Sequence, residues 1–403
     1  MSSFVKANIL LPKTDSMERW AVIACDQFVS QPAYWAAVRK FVGDAPSALH
    51  LILPESELEG DCTQSIAAIH QAMLHYLQSG VFREYPDCFI YTERTLENGS
   101  VRKGVVGALD LTHYDYSPLS DVPVHATEET VQERVPPRMA IRRNAAVELP
   151  HVLLLCDDTQ LVLIDSLSAK RDTLPLLYDF HLMADGGRVR GWLVAGQDAD
   201  VFAAQVARYE ASMKEKFGEN AVMYAVGDGN HSVAAAKACY LENTACQAAR
   251  YALVELENIH DEAQVFEPIH RIVKDTDCQA LIEAMDKALS CKGGRPVTWF
   301  AGTACGTMEI AVPAGQLAVG VVQDFLDHYV AENPGVIDYV HGEDAVRELA
   351  EAPNTLGLLL PPVDKNAFFK TIIVGGTLPR KTFSMGHARE KRYYLEARKI
   401  KDN

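Results

Sequence analysis

The chain has 403 residues, enough for two domains of ordinary size or one elaborate one, and 48% of them are hydrophobic, so sizeable cores are expected. A formal net charge of −16, from 38 basic and 54 acidic side chains, argues against a nucleic-acid partner, which needs clustered Lys and Arg. Nine scattered cysteines with no Cys-x-x-Cys pair argue against a disulfide framework or a zinc ribbon, and neither a secretory leader nor an apolar run of membrane-spanning length is present, so the expectation is a cytoplasmic protein with buried, reduced thiols and no membrane partner.

In chain order, residues 16–43 read as strand, loop and helix: WAVIAC is a short buried-strand pattern ending at Asp26, and Pro32 suits the first turn of PAYWAAVRKFV. LHLILP then reads as a strand, and CTQSIAAIHQAMLHYLQSG as a helix closed by a glycine. Three hairpins follow. CFIYTERTL and VRKGVVGALDL flank an Asn-Gly turn, HVLLLCDD faces QLVLIDSL, and YDFHLM faces RVRGWLV across Asp185-Gly186-Gly187. A long amphipathic helix from about Ala199 to Phe217 leads into AVGDGNHSVAAAK, Ala225 to Lys237. Beyond it come strand-like RYALVELENI and FEPIHRIV, a helix from about Cys278 to Leu289, a VTWFAG/TMEIAV hairpin, a helix from about Leu317 to Glu332, and an alternating strand–helix section before a basic, aromatic tail.

This mixture predicts an α+β, mixed α/β, architecture with several hairpins and packed helices. A boundary near 195–200 divides it into an N-terminal mixed region, 1–197, and a C-terminal α/β region, 198–403, carrying the glycine turn, unless the two form one integrated unit.

The Gly-Asp-Gly segment is the primary candidate for function. A strand ends, glycines turn the chain, and a helix begins, so unsatisfied N–H groups and the positive end of the helix dipole favour a phosphate there. A tight turn with Asp228 or Ser232 as cap explains Gly227 and Gly229 equally well, but a plain cap needs neither Asn230 nor His231. In HATEETVQERVPPR, Glu128 has the chemistry of a general base, and Arg134 and Arg138 offer planar forks matched to phosphate oxygens; the alternative is a charged surface turn. His270-Arg271 follows a proline near a strand and offers further cationic groups. Glu257-x-x-His260 and Glu267-x-x-His270 resemble metal pairs, but on strands the two side chains point to opposite faces. Glu343 and Asp344 at a helix start read as capping acids, and Asp26 at a strand end as a turn residue or a site acid. The absence of nucleophile-elbow, zinc-protease and dinucleotide motifs argues against serine hydrolases, metalloproteases and NAD enzymes.

Taken together, WAVIACDQFVSQPAYW, ATEETVQERVPPR, AVGDGNHSVAAAK, LVELENIHDEAQVFEPIHR, YVHGEDAV and LPRKTFSMGHAREKRYYLEARKI resemble, in order and over almost the whole chain, a prokaryotic family catalogued as domain of unknown function, number 1015. Many of its members carry Asp-Gly-His-His-Arg where this chain has Asp228-Gly229-Asn230-His231-Ser232, and that form is similar to a signature of the ParB/sulfiredoxin-like superfamily, which includes partition proteins, sulfiredoxins and free-serine kinases. The resemblance implies a ParB/sulfiredoxin-like core around the turn, with nucleotide phosphates cradled by the turn and the following helix. It places Asp228, Gly229 and His231 on matching positions and Glu128 with Thr130 on the family's Glu-x-Thr. Here Ser232 replaces the arginine that would hold phosphate, and the turn lacks the cysteine that sulfiredoxin chemistry requires.

The resulting expectation is a nucleotide-dependent small-molecule phosphotransferase, kinase-like, using ATP or ADP with magnesium and no zinc, haem or NAD. Gly227, Gly229, Asn230 and Ser232 would form the phosphate cradle, with His231 a phosphate contact also assigned to catalysis. Asp228 would orient the reactants or hold the metal, Glu128 would take the acceptor's proton, and Arg134, Arg138, His270 and Arg271 would supply positive charge. The alternatives are a non-catalytic nucleotide-binding regulatory module, or an enzyme of another class binding an anionic metabolite. The partner is a small molecule in each case, and homo-oligomerisation stays open.

Overall fold

The computed structural model describes residues 2–58, 60–117, 120–128, 130–378 and 381–402. The chain forms two compact units, one of Met1–Gln264 with Gly386–Asn403, the other of Val265–Met385. Residues 195–200, where the sequence suggested a boundary, lie inside the first unit because strands on both sides of them share one sheet.

Local rules set the first elements of unit 1. Helix α1 (Pro32–Val42) starts with its proline in the first turn, and α2 (Thr63–Gln78) buries Ile69, Met73 and Tyr76 at helical spacing. The strands β1 (Phe82–Thr95) and β2 (Val101–Asp110) form the expected hairpin, with Thr95 opposite Val101 and Gly99 at φ +83° in the turn. Next come β3 (Tyr114–Asp115), β4 (Val124–Ala126), helix α3 (Val135–Arg142) and β5 (Leu153–Cys156). The hairpin of β6 (Leu176–His181) and β7 (Arg188–Val194) is also as read, and α4 (Gly196–Phe217) leads to β8 (Tyr224–Asp228), α5 (Asn230–Glu242) and β9 (Tyr251–Asn258).

These strands build an 11-stranded mixed sheet in the order β6-β7-β1-β2-β9-β5-β8-β4-β3, with Phe4–Val5 added on β2 and Ala7–Pro12 on β1. The C-terminal segment belongs to this unit: Tyr393–Tyr394 pairs with Val22–Ile23 and Arg398–Lys399 with Val147–Glu148.

Three sequence expectations are corrected. WAVIAC contributes only Val22–Ile23 as strand, behind the short helix Met17–Trp20. LHLILP opens as a 3-10 turn, Ala48–Leu51, because the Ser47 hydroxyl accepts from the Leu49 N–H and captures the backbone. QLVLIDSL is no strand: the Asp158 carboxylate accepts from Val162 and Leu163 N–H, both at 2.7 Å, and the chain coils into the helix Asp165–Ser168. The partners of β5 are instead β8 and β9.

Unit 2 holds a six-stranded sheet. Its strands are β10 (Phe266–Lys274), β11 (Ser290–Ala301), β12 (Ala304–Ile310), β13 (Val336–His341) and β14 (Leu356–Leu359), in the order β12-β11-β14-β10-β13, with Phe383–Met385 on β10. Among the cysteines, all nine of which are free, Cys88 and Cys156 are buried but Cys291 and Cys305 are exposed, so burial of every thiol does not hold. Among the described residues no helix is long and apolar enough to cross a membrane.

Candidate functional site

Strand β8 delivers the glycine turn. Gly227 sits at a bulge in the pairing with β5, between Val226 and Asp228. Gly229, at φ +81°, begins α5, and a Cβ there would lie 3.0 Å from Val152 Cγ2 and 3.1 Å from Val152 Cα, so a side chain would be strained by the backbone and crowded by Val152. Its N–H donates to Asp228 Oδ1 at 2.9 Å.

The structure brings residues 125–138 to this turn. β4 runs parallel to β8, with His125 opposite Ala225 and Ala126 opposite Val226. Thr127 then ties the segments together: its N–H donates to Asn230 Oδ1 at 3.2 Å, its hydroxyl donates to the Val226 carbonyl at 2.6 Å, and its Oγ1 accepts from Asn230 Nδ2 at 3.2 Å. Asn230 is buried, and these bonds use its side-chain oxygen and one of its two amide donors, so it holds the segment in place. The Val131 N–H donates to His231 Nε2 at 3.3 Å, and α3 packs on α5 through Val135, Ala234 and Ala235. Glu128 follows Thr127 directly and is half-buried, whereas Glu129 lies outside the described residues. Thr130 is only 5% exposed, and its hydroxyl has no hydrogen-bond partner. Arg138 pairs with the Glu55 carboxylate and donates to the Arg134 carbonyl at 2.8 Å.

Charge around His231 is predominantly positive. Burial, then Arg138 and Arg134, push its pKa from 6.5 down to about 4, against the opposing pull of Asp26. The ring is therefore neutral near pH 7, and because Nε2 accepts a hydrogen bond, the proton resides on Nδ1, which is left as a donor. The unfolded chain's imidazole binds its proton at higher pH than the folded one. Folding stability is thus expected to fall as pH drops from 6.5 towards about 4, then to level off. Urea unfolding across that window should show the loss in the native chain and a flatter profile in His231→Gln.

Of the groups that complete this site, sequence reasoning named Asp26 as a possible site acid and missed Lys391, His151 and Tyr394. Lys391, from the C-terminal segment, places Nζ 3.2 Å from Asp228 Oδ2. His151 reaches the turn because β5 runs antiparallel to β8, with Leu153 opposite Asp228. Its Nε2 is 3.2 Å from Ser232 Oγ, and its Nδ1 is 2.8 Å from the Tyr394 hydroxyl, which also accepts from the Cys25 N–H at 3.2 Å. Asp26 completes the cluster: burial disfavours its charge, but His151, a hydrogen bond from Gln27 and Lys391 together hold its carboxyl below the usual range. The basic and aromatic character of the tail was the one available signal.

Two expected residues belong to unit 2. Arg271 is fully buried inside unit 2, where Nε donates to Gln323 Oε1 at 2.6 Å, Nη1 to the Ile269 carbonyl at 2.6 Å, and the guanidinium stacks 4.7 Å from the Tyr339 ring centroid. His270 Nδ1 accepts from the Leu360 N–H at 3.1 Å in the same interior. Both are consumed by packing of their own unit. One oxygen of Asp228 accepts within its own turn and the other faces Lys391. Among the described residues no group of three His, Cys, Asp or Glu is arranged to hold an ion.

The profile of a family described as "Protein of unknown function (DUF1015)" matches residues 7–401. No curated protein matches the chain. Among solved structures, SbnI with C-terminal truncation, from Staphylococcus aureus, is 10% identical over 72% of this chain and 82% of its own, with a TM-score of 0.35. A free serine kinase mutant in complex with ADP is 14% identical over 71% of this chain and 92% of its own, with a TM-score of 0.34. A conserved hypothetical protein from Pyrococcus furiosus is 12% identical over 73% of this chain and 94% of its own, with a TM-score of 0.31. At TM-scores this low, no residue of those chains is matched to one here.

Proposed function

The chain belongs to the DUF1015 family, described as proteins of unknown function, and from the geometry of unit 1 we propose that this member binds a nucleotide by its phosphates at the 227–232 turn and transfers a phosphoryl group to a small hydroxylated acceptor. One observation carries the reading: a neutral His231 with a donor to spare, under the positive fields of Arg134 and Arg138, at the start of a helix and beside the partnerless buried hydroxyl of Thr130. Such an arrangement favours an anion with several acceptor oxygens.

The roles follow from position. The α5 N-terminus and His231 Nδ1–H face phosphate oxygens, while Arg134 neutralises charge on the transferring group and Arg138, paired with Glu55, adds only its field. Glu128 takes the acceptor's proton as the acceptor oxygen bonds to phosphorus and the bond to the nucleotide's leaving oxygen breaks. Asp228 holds Lys391 at the turn, adding a further cation to the arginines. Magnesium supplied with a nucleotide would add charge neutralisation, but no step here is assigned to it.

Incubating the protein with ATP and a panel of hydroxylated amino acids, and following ADP by phosphorus NMR, tests the reading. Acceptor-dependent ADP formation is the expected result. Tight nucleotide binding with no turnover across the panel would overturn the transferase assignment and leave a nucleotide-responsive switch.

A further inference from the structure

Unit 1 carries a half-open cavity of about 150 Å³ that shares Ser232 with the turn. Leu51, Leu53, Met73, Ile141, Val147 and Ile400 supply apolar wall, and Arg142 and Glu148 bring an ion cluster to it. A cavity of roughly this volume accepts a benzene-sized body.

The ion cluster is unbalanced. Glu148 is 8% exposed, with Oε2 2.5 Å from Arg142 Nη1 and Oε1 2.7 Å from Arg398 Nε. Oε1 also accepts from the Leu253 N–H at 2.9 Å. Burial disfavours the carboxylate's charge, but Arg142 and Arg398 outweigh that and keep it ionised. One negative charge is therefore shared by two guanidiniums, and Arg142 Nη2 is buried without a partner. A buried positive charge and an unmet donor are both costly unless an anion answers them. Arg138, the other cationic residue on the wall, already has Glu55.

We propose that this cavity binds a small monocarboxylate with an apolar body of roughly benzene size, its carboxylate answering Arg142. The site does not depend on the nucleotide reading.

Isothermal titration with benzoate and 4-methylpentanoate, with benzamide as the neutral control, tests the proposal. Saturable binding of the carboxylates is expected, with benzamide at least about tenfold weaker. Arg142→Met should weaken carboxylate binding by at least about tenfold. Ala236→Leu, which fills the cavity from a wall position 1% exposed and leaves the ion cluster intact, should abolish it and keeps the test decisive if Arg142→Met fails to fold. Absence of carboxylate binding to the folded native chain, equal binding of benzamide, or displacement by adenosine would overturn the proposal. The phosphate turn is read separately, by the response of His231→Ala to ATP, so failure of either assignment is distinguishable from failure of the other.

Discussion

Replacing Arg392 by methionine is expected to destabilise unit 1 by about 3–5 kcal/mol, the cost of leaving buried charges without their counter-ion. Arg392 is 3% exposed, donating from Nε to Glu255 Oε2 at 2.6 Å, from Nη2 to Glu396 Oε2 at 2.7 Å, and from Nη1 to the Pro150 carbonyl at 2.6 Å. Burial works against its charge, and Glu396 and Glu255 more than offset this, holding its pKa above the ordinary value. Methionine keeps much of the volume but strands two carboxylates, one of which also accepts from the Tyr178 hydroxyl at 2.5 Å. The effect should reach the candidate site. Arg392 stands between Lys391, which faces Asp228, and Tyr394, which faces His151, so loosening it frees both. A urea midpoint equivalent to a loss below about 1 kcal/mol would show that the network contributes little and that other contacts hold the tail.

Glu128→Gln is expected to lower acceptor-dependent phosphoryl transfer by about 10²–10⁴-fold, the usual contribution of a general base, while leaving nucleotide affinity within a few-fold of the native value. Glutamine preserves shape and cannot take the proton. The position follows from Thr127, which is bonded to both Asn230 and the Val226 carbonyl and so fixes where residue 128 leaves β4. Equal turnover in the variant would remove Glu128 from the chemistry; a parallel loss of nucleotide affinity would assign it to binding instead.

The elements most legible in sequence were those specified locally. Pro32 marked a helix start, the Asn98-Gly99 pair a hairpin, and Gly229 a tight turn, which the structure places at φ +81°. The order of motifs likewise gave the family. Short apolar runs misled, because Ser47 and Asp158 divert LHLILP and QLVLIDSL with side-chain bonds that no hydrophobic pattern records. Strand order was the larger gap. His151 meets Ser232 only because β5 lies antiparallel to β8, and nothing local to Pro150-His151 announces that neighbour. Unit 2 interrupts unit 1 between Gln264 and Gly386 without a change of composition, which hid the return of Lys391 and Tyr394 to the turn. His270 and Arg271 misled for the converse reason: their charge suggested a cleft, and their burial serves the interior of unit 2.

The measurement closest to the central claim is a thermal-shift titration of ATP and ADP on the native chain and on His231→Ala. Nucleotide at about 100 times its dissociation constant should add about 2.7 kcal/mol to folded-state stability, a rise of a few degrees in Tm. The account predicts that rise in the native chain and its loss in the folded variant. An equal rise in both proteins, or no response in either, would contradict nucleotide binding at the 227–232 turn.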